Sequence, residues 1–178
     1  MQVRHKGGAS GAFLELTRRI VSSVQAYDAR VIVNDRADIA RLAGAAGVHV
    51  GQSDLTVEDV CRVAGPDVLV GVSTHDRDQI DAALAGSAAY VAVGPVYGTT
   101  TKDTGYTARG LDLVRYGAGR GRPIVAIGGI TIDRVREVME AGASAVAVIS
   151  DLLSTGDPEQ RTREYLLRCQ QAAGDDRI

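Results

Sequence analysis

Ala43-Gly44-Ala45-Ala46-Gly47-Val48-His49-Val50-Gly51 is a phrase that the chain uses three times. It returns as Ala85-Gly86-Ser87-Ala88-Ala89-Tyr90-Val91-Ala92-Val93-Gly94, and again as Ala141-Gly142-Ala143-Ser144-Ala145-Val146-Ala147-Val148-Ile149-Ser150. Each copy reads as a helix end, a glycine and a short apolar strand. Glycine just past a helix takes the left-handed conformation that closes it at little cost. The strand that follows is apolar on both faces, as a buried parallel strand must be. A repeat of this kind points to the architecture before any single element does.

Working outward, residues 30–35 (RVIVND), 69–74 (LVGVST) and 123–129 (PIVAIGG) read as further strands, and 2–6 (QVRHK) as a shorter, more polar one. Helical stretches separate them. Residues 11–27 carry Phe13, Leu16, Ile20, Val21 and Val24 at helical spacing. Thr56 reads as an N-cap with Asp59 three residues on, a variant of the capping box. Thr131 reads as a cap for a helix bearing Val135, Val138 and Met139. Residues 160–171 form a last helix with Tyr165, Leu166 and Cys169 inward. Seven strands alternating with about seven helices mean a parallel sheet with right-handed crossovers. An open doubly wound sheet and a TIM-type (β/α)8 barrel with seven visible βα units both satisfy that order. The barrel, more fully the TIM (β/α)8 type, is favoured because the strand ends share one chemistry and no early Gly-rich dinucleotide fingerprint is present. The expected organisation is a single domain over residues 1–174 with a polar tail at 175–178.

Composition narrows the function. The chain has 178 residues, 45% hydrophobic and 24% charged, with a formal net charge of −2. That size suits one ordinary domain, and that charge supplies no field for a nucleic-acid backbone. The apolar runs are too short to cross a bilayer, and the first ten residues have no signal-peptide core. No nucleic acid, no membrane and a cytoplasmic location are therefore expected. Cys61 and Cys169 have no partners at metal-ligand spacing. Cys61 reads as a core thiol in a reducing compartment.

In a barrel the reactive groups gather at the C-terminal ends of the strands. Those ends read Arg4 and Lys6; Asn34-Asp35; Gly51-Gln52-Ser53-Asp54; Ser73-Thr74-His75; Gly94-Pro95-Val96-Tyr97, with Thr99, Thr100, Thr101 and Lys102 after it; Gly128-Gly129; and Ser150. Two acids from neighbouring strands, with phosphate and water, suit Mg²⁺. Each acid alone also serves as a cap for the helix that follows. Arg4 offers a bidentate fork to phosphate and the lysines offer point charges. Arg4 and Lys6 equally fit a solvated edge strand, although alternation puts Gln2, Arg4 and Lys6 on one face. Gly128-Gly129 and Ser150 occupy the two loops where barrels often hold phosphate. His49 reads as a satisfied buried residue, and His75 as a group at the mouth or at a helix start. No Ser-His-Asp or Cys-His arrangement is evident.

These motifs, read in order, resemble thiamine-phosphate synthase across nearly the whole chain. They are QVRHK at 2–6, VND at 33–35, GVHVGQSD at 47–54, GVSTH at 71–75, GPVY at 94–97, TTTK at 99–102, AIGGI at 126–130 and VIS at 148–150. The resemblance implies a Mg²⁺-dependent transferase. It joins hydroxymethylpyrimidine diphosphate to a thiazole phosphate, giving thiamine phosphate and diphosphate. It implies that Gln2, Arg4, Lys6, Asn34, Ser73 and Lys102 hold the pyrimidine diphosphate, with Arg4, Ser73 and Lys102 as the catalytic set. It further implies that Asp35 and Asp54 carry Mg²⁺, and that Thr99, Thr101, Gly129, Ile149 and Ser150 hold the thiazole phosphate. A homo-oligomer is also in keeping with it.

The family usually places one more strand and helix before its Gln-x-Arg-x-Lys strand, so a barrel without its first strand and helix is expected here. Two other functions stay open at this point. One is a non-catalytic or regulatory paralogue that binds phosphorylated ligands. The other is a thiazole tautomerase, which would want a proton-transfer group between Gly94 and Lys102, where no histidine occurs.

Overall fold

The computed structural model describes residues 1–99 and 105–174. Among them, seven strands alternate with helices in the order expected from the repeat. No described helix is long and apolar enough to cross a membrane. The chain divides into two compact units, Met1–Ser73 with Gly86–Ala89, and Thr74–Ala85 with Tyr90–Ile178.

The first unit runs β1 (Gln2–Val3), α1 (Ser10–Val24), β2 (Ile32–Asn34), α2 (Ala37–Ala43), β3 (Gly47–Val50), α3 (Val57–Ala64) and β4 (Leu69–Thr74, whose last residue counts with the second unit). The strands are parallel, and their register builds a single lateral row, Val3–Val33–Val48–Val70. All four valines are buried, and they pack with Phe13, Ile39, Ala40 and Val60 from the helices. Because side chains alternate along a strand, the opposite face carries Gln2, Ile32, Asn34, Gly47, His49, Gly71 and Ser73. β-Branched residues thus form the helix-packed face, and the other face turns polar toward the strand ends.

Local chemistry sets the boundaries. Thr56 caps α3 as expected, its Oγ1 accepting the Asp59 N–H at 3.2 Å. Gly44, at φ 68°, ends α2 in the left-handed conformation. β1 is shorter than the expected 2–6 strand: it pairs with β2 only through Gln2 and Val3, and Arg4, His5 and Lys6 lie exposed beyond it. Leu16 is also exposed rather than core. Thr17 takes the inward place instead, because its hydroxyl is satisfied by the Phe13 carbonyl at 2.7 Å. Cys61 is half-buried against the same core.

The second unit runs α4 (Arg77–Ala85), β5 (Tyr90–Val93), α5 (Leu111–Gly117), β6 (Ile124–Ile127), a 3₁₀ turn (Ile132–Arg134), α6 (Val135–Glu140), β7 (Ala145–Ala147), α7 (Ser150–Leu153) and α8 (Pro158–Gly174). β5, β6 and β7 are parallel, with Val93, Ala126 and Val146 in one lateral row. Val91, Val93, Ile124 and Ala126 pack with Val114, Val135 and Val138. Thr131 makes no side-chain cap, since a 3₁₀ turn intervenes before α6. On α8, Tyr165 is buried as expected, whereas Leu166 is exposed.

Candidate functional site

The first group of polar residues stands on the non-valine face of β1–β4. Register places Asn34 beside His49 and His49 beside Gly71, and Ser73 lies two residues further along that face. Asn34, His49 and Ser73 are all buried. The Ser73 hydroxyl and His49 Nε2 are 2.8 Å apart, and the Gln52 side-chain amide donates to the Ser73 carbonyl at 2.6 Å. Ser73 is therefore fixed by two neighbours from the β3 segment. His49 is satisfied and buried, as its sequence context suggests, and its partner Ser73 is one of the residues expected to bind substrate. Alternation was the signal for this: His49 shares a face with Asn34 once the register is known.

Asp35 directly follows Asn34 and adopts φ 63°, the left-handed region that non-glycine residues seldom enter. Its N–H still bonds the His49 carbonyl at 2.8 Å, while the Arg36 N–H bonds the Asn34 carbonyl at 2.8 Å. The chain thus turns sharply at Asp35 while remaining tied to β3. Such strain costs about 1–3 kcal/mol and gathers at functional positions. Asp54 is exposed, and its Oδ2 accepts the Gly51 N–H at 2.7 Å.

Asp35 and Asp54 are the two acids expected to bear on the metal. Among the described residues, no group of three or more His, Cys, Asp or Glu side chains could hold an ion. Two carboxylates at the ends of adjacent paired strands fit Mg²⁺, which takes one or two carboxylates and completes its shell with water and phosphate oxygens. They do not fit zinc, which wants three or four nitrogen or sulfur ligands.

The second group lies in the loops after β5, β6 and β7. The Val96 N–H bonds the Ile127 carbonyl at 2.8 Å, and the Tyr97 N–H bonds the Gly128 carbonyl at 3.1 Å. The loop after β5 therefore runs along the end of β6. Gly129, at φ 66°, is pressed so closely that an added Cβ would lie 2.5 Å from the Gly98 carbonyl oxygen and 2.9 Å from Tyr97 Cβ. That contact brings Gly129 within one residue of Thr99. The Arg134 guanidinium donates to the Gly129 carbonyl at 2.8 Å and lies over the Tyr97 ring, whose hydroxyl bonds Glu137. Burial and the Glu137 hydrogen bond push the Tyr97 phenol up to about 12, so it stays protonated near neutrality. Ile149 is exposed and Ser150 opens α7. Thr101 and Lys102 lie outside the described residues.

His75 takes the helix-start role. Its N–H bonds Gln79 Oε1 at 2.8 Å, while the Gln79 N–H bonds Asp76 Oδ1 at 2.9 Å. Its ring is held by the Gly94 carbonyl at 2.6 Å and stacks on Tyr106 at 4.1 Å. Arg134 was not singled out from the sequence, and Tyr97 only as part of the strand-end motif at 94–97. The pairing of an arginine with a loop carbonyl five residues earlier leaves no periodic trace.

Known proteins supply the context for this arrangement. The solved thiamine phosphate pyrophosphorylase of Pyrococcus furiosus superposes with a TM-score of 0.89 at 29% identity, covering 96% of this chain and 82% of that one. Phosphoribosyl anthranilate isomerase of Thermotoga maritima shares the fold alone, with a TM-score of 0.66 at 17% identity over 89% of this chain and 80% of that one. The chain is thus a parallel α/β protein of the TIM (β/α)8-barrel type with seven βα units among its described residues. A protein named thiamine-phosphate synthase from Anaeromyxobacter dehalogenans is 46% identical over 160 residues, covering 89% of this chain and 72% of that protein. One of the same name from Koribacter versatilis is 42% identical, with 93% and 78% covered. Residues 1–152 match the family described as thiamine monophosphate synthase, and the chain belongs to that family.

Proposed function

We propose that this chain is a thiamine-phosphate synthase, a transferase that couples hydroxymethylpyrimidine diphosphate to a thiazole phosphate and releases diphosphate. The observation that carries the reading is the polar face of β1–β4, which sets Asn34, His49 and Ser73 in one buried group directly before the strained Asp35. Gln2, Arg4, Lys6, Asn34, Ser73 and Lys102 would hold the pyrimidine diphosphate. Thr99, Thr101, Gly129, Ile149 and Ser150 would hold the thiazole phosphate.

The chemistry asks little covalent work of the protein. Diphosphate leaves an electron-rich pyrimidinylmethyl carbon, so the transition state is cation-like and no protein nucleophile is needed. Arg4, Lys6 and Lys102 stabilise the charge that gathers on the leaving group. Ser73, oriented by His49 and Gln52, gives a fixed hydrogen-bonding group for the same ligand. Asp35 and Asp54 would hold Mg²⁺, which when bound neutralises charge on the departing diphosphate.

Neither a non-catalytic paralogue nor a tautomerase is favoured. The family relatives are named as synthases, and residues 94–102 contain no histidine for proton transfer. A cytoplasmic location and a homo-oligomer belong to the same reading; exposed Leu166 and Leu167 on α8 support the latter. The test is a coupling assay with both substrates and Mg²⁺. Formation of thiamine phosphate is expected, with loss of product on chelation. Absence of product at saturating substrates and Mg²⁺ refutes the proposal.

A further inference from the structure

Asp151 is not among the residues expected to touch either substrate, yet its carboxylate is held by two side chains of α8. It directly follows Ser150, and its side chain is only 14% exposed. Its Oδ2 accepts from the Tyr165 hydroxyl at 2.6 Å and from Arg161 Nε at 3.0 Å, both on α8. The Tyr165 hydroxyl has one proton, which the short contact assigns to the carboxylate. The Ile130 carbonyl, at 3.3 Å from the same hydroxyl, is the longer arm of a bifurcated bond. Asp151, beside Ser150, and Ile130, beside Gly129, thus share the Tyr165 hydroxyl of α8.

We infer that Asp151, clamped by Tyr165 and Arg161, is a positioning residue that fixes the loop bearing Ile149 and Ser150 against the loop bearing Gly129, and so sets affinity for a phosphate monoester there. The inference rests on the thiazole-phosphate reading of those loops. Its physical basis is the spacing demanded of a phosphate. Oxygen acceptors on one small group can be met from two loops only if the loops keep a fixed separation. α7 has four residues and offers little rigidity of its own. A half-buried carboxylate that accepts hydrogen bonds from Tyr165 and Arg161 supplies what the short helix lacks. Burial alone would push the Asp151 carboxyl up, but the Tyr165 and Arg161 hydrogen bonds outweigh it and hold the group below the usual range.

The experiment compares Tyr165→Phe and Asp151→Asn with the unaltered chain in steady-state coupling kinetics, with thermal unfolding alongside. Tyr165→Phe keeps the ring and removes only the hydroxyl. The expected result is a rise of about five- to tenfold in KM for the thiazole phosphate in each variant, the scale of one lost buried hydrogen bond. KM for the pyrimidine diphosphate and kcat should stay within about twofold. An unchanged thiazole-phosphate KM overturns the inference. So does a parallel rise in both KM values with a lowered Tm, which is the mark of a merely structural role. If the unaltered chain makes no thiamine phosphate, the proposed function fails separately. Binding of inorganic phosphate, followed by ³¹P line broadening, then decides: weaker binding in both variants supports the inference, and no binding or equal binding overturns it.

Discussion

The two units prepare their polar groups in different ways. In the first, the groups stand on strands: Asn34 and His49 lie side by side in paired β2 and β3, and Ser73 near the end of β4. Their positions are set by backbone register and by a valine face packed against helices. In the second, the groups follow the strands: Gly129 comes after β6, its carbonyl bonded by Arg134, and Ser150 comes after β7, next to the Asp151 that Arg161 and Tyr165 hold. A strand-borne site needs only the sheet, whereas a loop-borne site needs its supporting side chains.

That contrast can be broken most forcefully at Asp35. Asp35→Ala should lower turnover by on the order of a hundredfold or more, since it would remove one of the two carboxylates proposed to hold Mg²⁺. Asp35→Gly should lose turnover equally yet keep or raise Tm, because glycine accepts φ 63° without strain. Near-normal activity of either variant at limiting Mg²⁺ would remove Asp35 from the metal assignment. Together the pair separates function from stability within the strand-borne group.

The matching probe in the second unit is Gly129→Ala. A methyl there meets the Gly98 carbonyl at 2.5 Å in a left-handed backbone conformation. The expected cost is about 1–3 kcal/mol of stability, together with a raised KM for the thiazole phosphate, read by denaturant unfolding and kinetics. In the loop-borne group, unlike at Asp35, stability and binding should fall together.

A smaller effect is expected from acid. The Asp151 pKa lies below its unfolded value of about 4. A depressed carboxylate contributes its stabilisation fully above that value and loses it as pH falls through the folded-state pKa. The stability gap between the unaltered chain and Asp151→Asn should therefore be full at neutral pH and close in strong acid. A gap that persists in strong acid would show that packing, not charge, carries the difference.

The smallest effect should come from Thr56→Ala, which removes the α3 cap at a cost of about 1 kcal/mol. Coupling kinetics should not change, since α3 supports the valine face. A shift in either KM would show that the strand-borne group is less insulated from its helices than the register implies.

Much of the fold was legible because its causes are local. The thrice-used phrase ends helices at Gly44 and Gly142 with positive φ, and its apolar runs become β3, β5 and β7. Thr56 announces its cap. Where packing decides, the sequence was less reliable: Leu16 and Leu166 fit an apolar stripe yet face solvent, while Thr17 is buried by bonding its own helix. β1 proved shorter than its alternation suggested, because only Gln2 and Val3 find partners on β2.

By itself, then, the sequence determined the alternating parallel architecture, the family likeness and the identity of the polar residues after each strand, since periodicity, turn chemistry and motif order are properties of neighbouring residues. Only the tertiary structure decided that His49 meets Ser73, that Asp35 turns left-handed, that Gly129 abuts Gly98, and that Asp151 is gripped from α8. Each of these joins residues brought together by register or by helix packing, and such contacts leave no periodic mark in the chain.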